Sequence, residues 1–327
     1  MNTSFAKFVR LLGETRVALN APLAPLTYMK VGGPADLLYT ATSAQELTRA
    51  ARAAIRFKIP YLILGGGSNV IVGDKGIRGL VIKNRADHVV IKHFKGKGKG
   101  TSMAIEEARV VAESGVITNL LVRKTIQEGL AGLEYFLGVP GTIGGAVFNN
   151  SHFQSELIGN AVESVDILTK EGDARTYTNR QMRFAYDSSV LQKTREVITS
   201  ITFLLKGGNA KGLWKKAEEY AKYRAQTQPL KFPSSGCMFK NVDPRSGTYG
   251  KNKKGLTSAG YLIEQAGLKG TKIGKAMVSE KHASFIINAG GATAQDVLKL
   301  ASLVRRRVKE KFGVRLEMEV FKVGEFN

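Results

Sequence analysis

Apolar residues in this chain recur with two spacings. Leu47, Ala50, Ala54 and Ile55 fall on one face at helical spacing, after Ser43-Ala44-Gln45-Glu46, which reads as a capping box, and before Pro60. Val297, Leu300, Val304 and Val308 repeat the pattern behind a capping Thr293. Further helices are expected near the N-terminus, over 119–128 and 259–266, and over the charged stretch 213–227, where Trp214, Ala217, Ala221 and Tyr223 form a partial stripe. Short apolar runs predict strands at 61–64, 70–72, 80–82, 89–91, 283–288 and 314–323, and on both sides of Gly32-Gly33-Pro34. Residues 164–168, 174–177 and 197–205 read as strands of one antiparallel sheet. The mixture predicts an α+β protein without internal repeats.

Two glycine-rich stretches break this rhythm. Leu64-Gly65-Gly66-Gly67-Ser68-Asn69-Val70 puts three glycines, a hydroxyl and an amide between two strands. Residues without a Cβ let a ligand approach the main chain, and convergent N–H groups form an anion site. Ser68 and Asn69 can add side-chain hydrogen bonds, so a pyrophosphate is one expected occupant and a plain hairpin turn the other reading. The loop is not a dinucleotide fingerprint, because strand rather than helix follows, and it lacks the Lys-Ser/Thr ending of a P-loop. Residues 138–150, Gly-Val-Pro-Gly-Thr-Ile-Gly-Gly-Ala-Val-Phe-Asn-Asn, are expected to be neither helix nor strand, and they suit a main chain wrapped against a flat polar ligand.

Length changes the picture only by allowing two or three domains, since 327 residues can bury more than one core. No run of about 18 apolar residues predicts a membrane span, and the first twenty residues are not a signal peptide. Cys237 is the single cysteine, which excludes an intrachain disulfide and suits a reducing cytoplasm. A net charge of +22 raises the question of nucleic acid. Its densest tracts, KHFKGKGKG from Lys92 and RSGTYGKNKK from Arg245, are read as solvated loops without a nucleic-acid motif. The four histidines show no metal-ligand spacing; His282 is read as holding a turn, and no metal site is expected.

Nine segments then line up. Val31-Gly-Gly-Pro-Ala35, Gly65-Gly-Gly-Ser-Asn69, Gly129-Leu-Ala-Gly-Leu-Glu134, Gly138-Val-Pro-Gly-Thr-Ile-Gly-Gly145, Gln228-Pro229, Gly236-Cys-Met-Phe-Lys-Asn241, Ala266-Gly-Leu-Lys-Gly270, Ser279-Glu-Lys-His282 and Leu316-Glu-Met-Glu-Val320 follow in order. Together they resemble the UDP-N-acetylenolpyruvoylglucosamine reductase (MurB) family over nearly the whole chain. The resemblance implies a two-subdomain FAD-binding fold of the vanillyl-alcohol oxidase type, over 1–85 and 86–207, and a C-terminal α+β domain for a UDP-sugar over 208–327. It implies reduction of the enolpyruvyl sugar by NADPH through noncovalent FAD, for peptidoglycan synthesis. Implied cofactor-binding residues are Gly65, Gly66, Gly67, Ser68, Asn69, Gly138, Gly141, Thr142, Gly144 and Gly145. Arg224, Gln228, Lys240 and Asn241 are implied for the substrate.

The family's proton donor, usually a serine, is implied at Cys237. A free thiol titrates near ~8.5 and so still carries a proton at neutral pH. A glutamate stabilising the enol intermediate is implied at Glu319, with Glu317 on the same face of an alternating strand. Four positions depart from the pattern. Asp187 stands in the catalytic set where the family has an arginine, and is expected to turn away or pair with a cation such as Arg183. Ala112-Glu113-Ser114-Gly115 replaces Ala-x-Ala-Gly, Asn150-Ser151-His152 replaces Asn-Ala-Gly, and Val242 replaces a proline. Asp187 keeps two alternatives open: an FAD oxidoreductase of the same fold with another substrate, and a FAD- or UDP-sugar-binding protein of reduced activity.

Overall fold

The structure, a computed structural model, describes residues 3–97, 104–153, 156–242 and 258–326. It forms two compact units interleaved in sequence: Met1–Leu19, Leu37–Gly66 and Gly79–Arg224 in the first, and Asn20–Asp36, Gly67–Arg78 and Ala225–Asn327 in the second. The chain passes from the first to the second inside the three-glycine loop.

The elements begin with α1 (Thr3–Leu12), β1 (Val17–Pro22), β2 (Pro34–Ala41), α2 (Ala44–Arg56), β3 (Tyr61–Leu64), β4 (Val70–Val72) and β5 (Ile77–Asn84). Next come β6 (Val89–Lys97), β7 (Ala104–Glu113), α3 (Thr118–Gln127), β8 (Leu130–Ala131), α4 (Ile143–Asn149), β9 (His152–Phe153) and β10 (Glu156–Leu157). They continue with β11 (Val162–Leu168), β12 (Ala174–Thr178), α5 (Asn179–Met182), α6 (Leu191–Thr194), β13 (Val197–Gly207) and α7 (Ala210–Thr227). The last are β14 (Ser234–Cys237), α8 (Ala259–Gln265), β15 (Lys272–Ile273), β16 (Ala276–Val278), β17 (Phe285–Asn288), α9 (Ala294–Phe312) and β18 (Phe321–Val323).

In the first unit the expected antiparallel sheet forms in the order β12-β11-β13-β7-β6. Ala108, Val110 and Ala112 of β7 alternate into a core shared with Leu121, Val147, Ile201 and Phe203. The sequence reading missed β7, whose alanines and glutamates are weak strand formers. A second core joins α1 and α2 through Phe8, Leu12, Leu47, Ala50 and Ala54. Ser43 caps α2 by accepting from the Glu46 N–H at 3.2 Å. Glu46 does not return to the Ser43 N–H; its carboxylate binds Thr42 and Arg16, so only half of the expected box forms.

The second unit is built on the sheet β14-β17-β16-β15. Helix α9 is capped by Thr293 as expected, Asp296 completes a capping box, and the helix buries Val297, Leu300, Val304 and Val308. The strand expected at 314–323 narrows to β18, which pairs in parallel with β4. Before it, Met318 makes a single bridge to Phe239. Nor is there a strand ahead of Gly32-Gly33-Pro34. Lys30 and Gly32 have φ of 58° and 123°, and the bare Cα of Gly32 leaves room for the Val72 side chain, 2.6 Å from where a Cβ would stand.

The basic tract from Lys92 is not all loop either, since β6 extends to Lys97. Residues 98–100 of that tract, and the whole Arg245 tract, lie outside the described residues.

Candidate active site

The first half of the glycine loop meets the second glycine stretch within the first unit. A Cβ on Gly65 would strike Thr142 Oγ1, and one on Gly66 would overlap Gly141 Cα. Glycine at 66 lets two main chains touch, and glycine at 65 makes room for the Thr142 side chain. The second stretch is fixed from behind: Ile143 N–H donates to Val116 O and Gly144 N–H to Ser114 O, both at 2.9 Å, while Thr118 N–H donates to Gly141 O at 3.1 Å.

Contrary to the expectation of irregular backbone, 143–149 is helical. Gly144 makes this helix fit, because a Cβ there would lie 2.7 Å from Ser114 O. Its own N–H is engaged by Ser114, so Gly144 supports the loop by packing. Gly145 is exposed, and a Cβ there would come no closer than 3.7 Å to the nearest described atom. Gly138, with φ of 86°, lies against the Arg224 side chain, whose guanidinium sits 5.1 Å from the Phe153 ring centre.

Ser114, at a departure from the family pattern, is fully accommodated. Its hydroxyl donates to Ile198 O at 2.6 Å and accepts from Asn84 Nδ2 at 2.8 Å. Sequence reasoning missed Lys83, which is buried and donates through Nζ to Gly65 O. The available signal was a lysine closing the apolar run Leu80-Val81-Ile82, placing a positive charge at the glycine loop.

Two other departures meet each other. Asn150 ends α4 in the left-handed conformation, donates to Ala185 O at 2.7 Å and accepts from Gly159 N–H at 2.9 Å. That brings 150–153 beside the loop 185–188, where Ala185 and Ser188 exchange backbone hydrogen bonds. Asp187 is 2% exposed, and its Oδ1 lies 2.9 Å from His152 Nδ1. Its partner is thus His152 rather than Arg183, which is exposed at the end of α5. Ser189 donates to Phe148 O at 2.7 Å and closes the carboxyl end of α4.

In the second unit Cys237 ends β14 opposite Phe285. The next residue, Met238, accepts at its carbonyl from Glu319 N–H at 3.0 Å, and Lys240 N–H donates to Glu317 O at 3.0 Å. Cys237 and Glu319 are therefore carried on adjacent segments. Glu319 is half-buried and Glu317 exposed. The glycine loop reaches the same place: Asn69 Nδ2 donates to Glu319 O at 3.4 Å, Phe321 N–H donates to Asn69 O at 3.1 Å, and Ser235 Oγ donates to Val70 O at 3.0 Å. Gly67 packs on Leu26 and Thr27 with φ of 72°, and Ser68 follows it. Gly236 has φ of 80°, and no described atom lies within 4 Å of where a Cβ would stand. Asn241 Oδ1 accepts from Ala259 N–H at 3.1 Å, which ties it to the start of α8. Gln228 is half-buried after α7.

Other motif residues are structural. Glu134 is buried, accepts from Gly132 N–H at 2.6 Å and pairs with Lys216 at 3.0 Å. Burial pulls the Lys216 ammonium down, but hydrogen bonds to Tyr135 and Glu134 outweigh it and the net shift is upward. His282 holds its turn as expected: its Nδ1 accepts from Ser284 N–H at 3.3 Å, and burial lowers its basicity. Among the described residues no group of three His, Cys, Asp or Glu is placed to hold a metal, and no helix is long and apolar enough to cross a membrane.

Comparison with known proteins matches both halves of the chain. Residues 35–178 fit the FAD binding domain family, and residues 228–323 fit the UDP-N-acetylenolpyruvoylglucosamine reductase C-terminal domain family. The UDP-N-acetylenolpyruvoylglucosamine reductase of Lachnoclostridium phytofermentans is 36% identical over 99% of this chain and 98% of its own length. That of Caldanaerobacter subterraneus is 38% identical over 98% and 97%. The crystal structure of the reductase from Thermus caldophilus superposes with a TM-score of 0.72 at 33% identity, covering 94% of this chain and 97% of the other. An FAD-binding domain and a reductase C-terminal domain in one chain, with relatives of that name at 36% and 38% identity over nearly its whole length, leave one assignment: the chain belongs to the UDP-N-acetylenolpyruvoylglucosamine reductase (MurB) family.

Proposed function

We propose that this chain uses NADPH and noncovalently bound FAD to reduce UDP-N-acetylglucosamine enolpyruvate to UDP-N-acetylmuramate, in the cytoplasmic stage of peptidoglycan synthesis. Residues 1–85 and 86–207 serve as the flavin subdomains and 208–327 as the UDP-sugar domain, with 20–36 and 67–78 contributed to the C-terminal unit. The observation that carries the reading is the convergence, in one unit, of Cys237, Glu319 and the Asn69 end of the glycine loop.

The residues fit a flavin. Gly65 and Gly66 press against Gly141 and Thr142 with no Cβ to part them, as a cradle for a pyrophosphate needs. Gly67, Ser68, Asn69, Gly138 and Gly145 are the further residues assigned to flavin, and Gly144 packs against Ser114. Bound flavin would relay hydride from NADPH to the enolpyruvyl methylene carbon. Cys237 gives a proton to the adjacent carbon, and Glu319, the less exposed glutamate of its segment, stabilises the enol form. Arg224, Gln228, Lys240 and Asn241 orient the UDP-sugar.

Purified protein should oxidise NADPH quickly only when the enolpyruvyl sugar is present. Yellow protein that reduces its flavin with NADPH but never passes the electrons to that sugar would instead favour a same-fold oxidoreductase with another substrate, the alternative that Asp187 keeps open.

A further inference from the structure

Helix α2 has a second face that the flavin and sugar assignments leave unused. Its apolar stripe of Leu47, Ala50 and Ala54 is buried. On the other side Gln45, Arg49, Arg52 and Arg56 follow at i, i+4, i+7 and i+11, a spacing that sets all four in one exposed row. The row borders a cavity of about 560 Å³ within the first unit, with Leu11 from the end of α1 and Thr199 of β13 also in its wall. Small-molecule sites occupy ~300–1,000 Å³, so the space suits a ligand of that class.

The positive charge of this wall is uncompensated. Arg49 Nη2 donates to Leu11 O at 2.7 Å and Arg52 Nε donates to Gly172 O at 2.9 Å, while the Arg56 guanidinium stands 5.6 Å from the Phe57 ring centre. Carbonyls and a ring orient a guanidinium but leave its charge intact, and further N–H donors remain after one is used. Among the described residues no carboxylate pairs with any of the three arginines. The nearby acids are engaged elsewhere. Glu46, three residues before Arg49, binds Arg16 and the Thr42 N–H; Glu113 accepts from Ala44 N–H at 3.0 Å and His88 N–H at 3.3 Å; Glu171, beside Gly172, is bonded to Thr169. Like charges at i, i+3 and i+4 repel along a helix, and no acid relieves this row.

We propose that the cavity binds a linear polyphosphate, either a free oligophosphate chain or the triphosphate of a nucleotide. A guanidinium meets phosphate oxygens with two parallel N–H bonds. From Arg49 to Arg56 the row extends about 10 Å at 1.5 Å per residue, more than one phosphate covers, whereas linked phosphates spread their charge over such a length. Gln45 and Thr48 add neutral hydrogen-bonding groups beside the arginines. Binding is noncovalent, and no bond of the ligand breaks. The inference stands apart from the reductase reading, because none of the lining residues belongs to the motifs assigned to flavin or sugar.

The test uses the flavin-loaded full chain in about 0.15 M salt, which screens the general attraction of a protein of net charge +22. Calorimetry with sodium triphosphate should show a site at least about tenfold tighter than with orthophosphate, since more charge-assisted contacts form. R49Q/R52Q should weaken triphosphate binding at least about tenfold as two such contacts go. R306Q/R307Q, which removes the same charge from α9, should stay within twofold of the parent. ATP bound more tightly than triphosphate through the same arginines would make a nucleotide the source; ATP bound no more tightly would make it the phosphate chain itself, and either result supports the site. No heat with triphosphate, orthophosphate bound as well as triphosphate, or an equal loss in R306Q/R307Q would overturn it. So would a short single-stranded RNA that needs Arg49 and Arg52 while triphosphate does not bind, which would give the row to nucleic acid. Should R49Q/R52Q not fold, the parent decides: triphosphate should slow phenylglyoxal modification of Arg49 and Arg52, read by peptide mass, and leave Arg306 and Arg307 unchanged. Equal protection of both pairs, or none, overturns the inference.

Discussion

A methyl group on Gly66 is the smallest perturbation that tests the flavin cradle. It would overlap Gly141 Cα and lie 3.1 Å from Gly141 C and 3.4 Å from its N. These are backbone atoms, so no side chain can swing aside. Nor can the Gly141 segment retreat freely, since Gly141 O accepts from Thr118 N–H at 3.1 Å and the next two residues are pinned to Val116 and Ser114. Overpacking of this kind costs about 1–3 kcal/mol, and straining the Thr118 bond adds about 1 kcal/mol. At ~2–4 °C per kcal/mol for a unit of this size, G66A should lower the melting temperature of the flavin-free protein by at least ~4 °C.

G145A is the control. Its Cβ has ordinary clearance, 3.7 Å to Thr142 Oγ1, and alanine gains roughly 0.5–1 kcal/mol over glycine inside a helix. The flavin-free protein should therefore keep or raise its melting temperature, and any loss of flavin by G145A would come from the ligand side of the loop. Melting curves of both apo-variants and their flavin content after reconstitution decide the matter. A G66A protein that melts with the parent and binds flavin fully would show that the two glycine segments do not touch as described.

Three further outcomes are expected. C237A should accept electrons from NADPH normally but reoxidise on substrate at least ~10²-fold more slowly, whereas C237S should stay active; equal rates for C237A and the parent would remove the thiol from the mechanism. Denaturation should release the flavin into the supernatant, and yellow precipitate would contradict noncovalent binding. The Glu46 carboxyl is held at about 2, against 4.5 unperturbed, first by Arg16 and then by the Thr42 N–H. A depressed carboxyl contributes stability that is complete above about pH 4.5 and lost as pH falls toward 2, so E46Q should flatten that acid limb of the melting temperature. The effect will be well below the full linkage because solvent screens an exposed pair, and an unchanged acid limb would count against the Arg16–Glu46 bridge.

Strong local signals were legible in the sequence. The Thr293 cap, the α9 stripe and the strands 164–168, 174–177 and 197–205 all formed, because cap chemistry and periodicity act over a few residues. Glycine misled where its reason was tertiary. The density in 138–150 suggested irregular backbone, yet α4 is helical and Gly144 is there to clear Ser114, thirty residues earlier in the chain. The narrowing of 314–323 has a similar cause. A run alternating in pattern becomes strand only where a partner backbone runs alongside, and β4 offers just three residues.

The departures from the family pattern show the same limit more sharply. Asp187 read alone sets a negative charge where one is developing, and Ser114 read alone puts a polar group into a tight interior. In three dimensions each has its own answer: His152 for the aspartate, Asn84 and Ile198 O for the serine. Neither partner was marked by spacing, since 35 residues separate 152 from 187 and 30 separate 84 from 114. Histidine at 152 looked like one more deviation, yet its Nδ1 is what the buried Asp187 carboxylate meets, at 2.9 Å. A change at either position alone therefore takes away the other's contact. D187R alone would set a guanidinium against His152, and restoring the family's charge at one position without clearing the other should slow the enzyme rather than improve it.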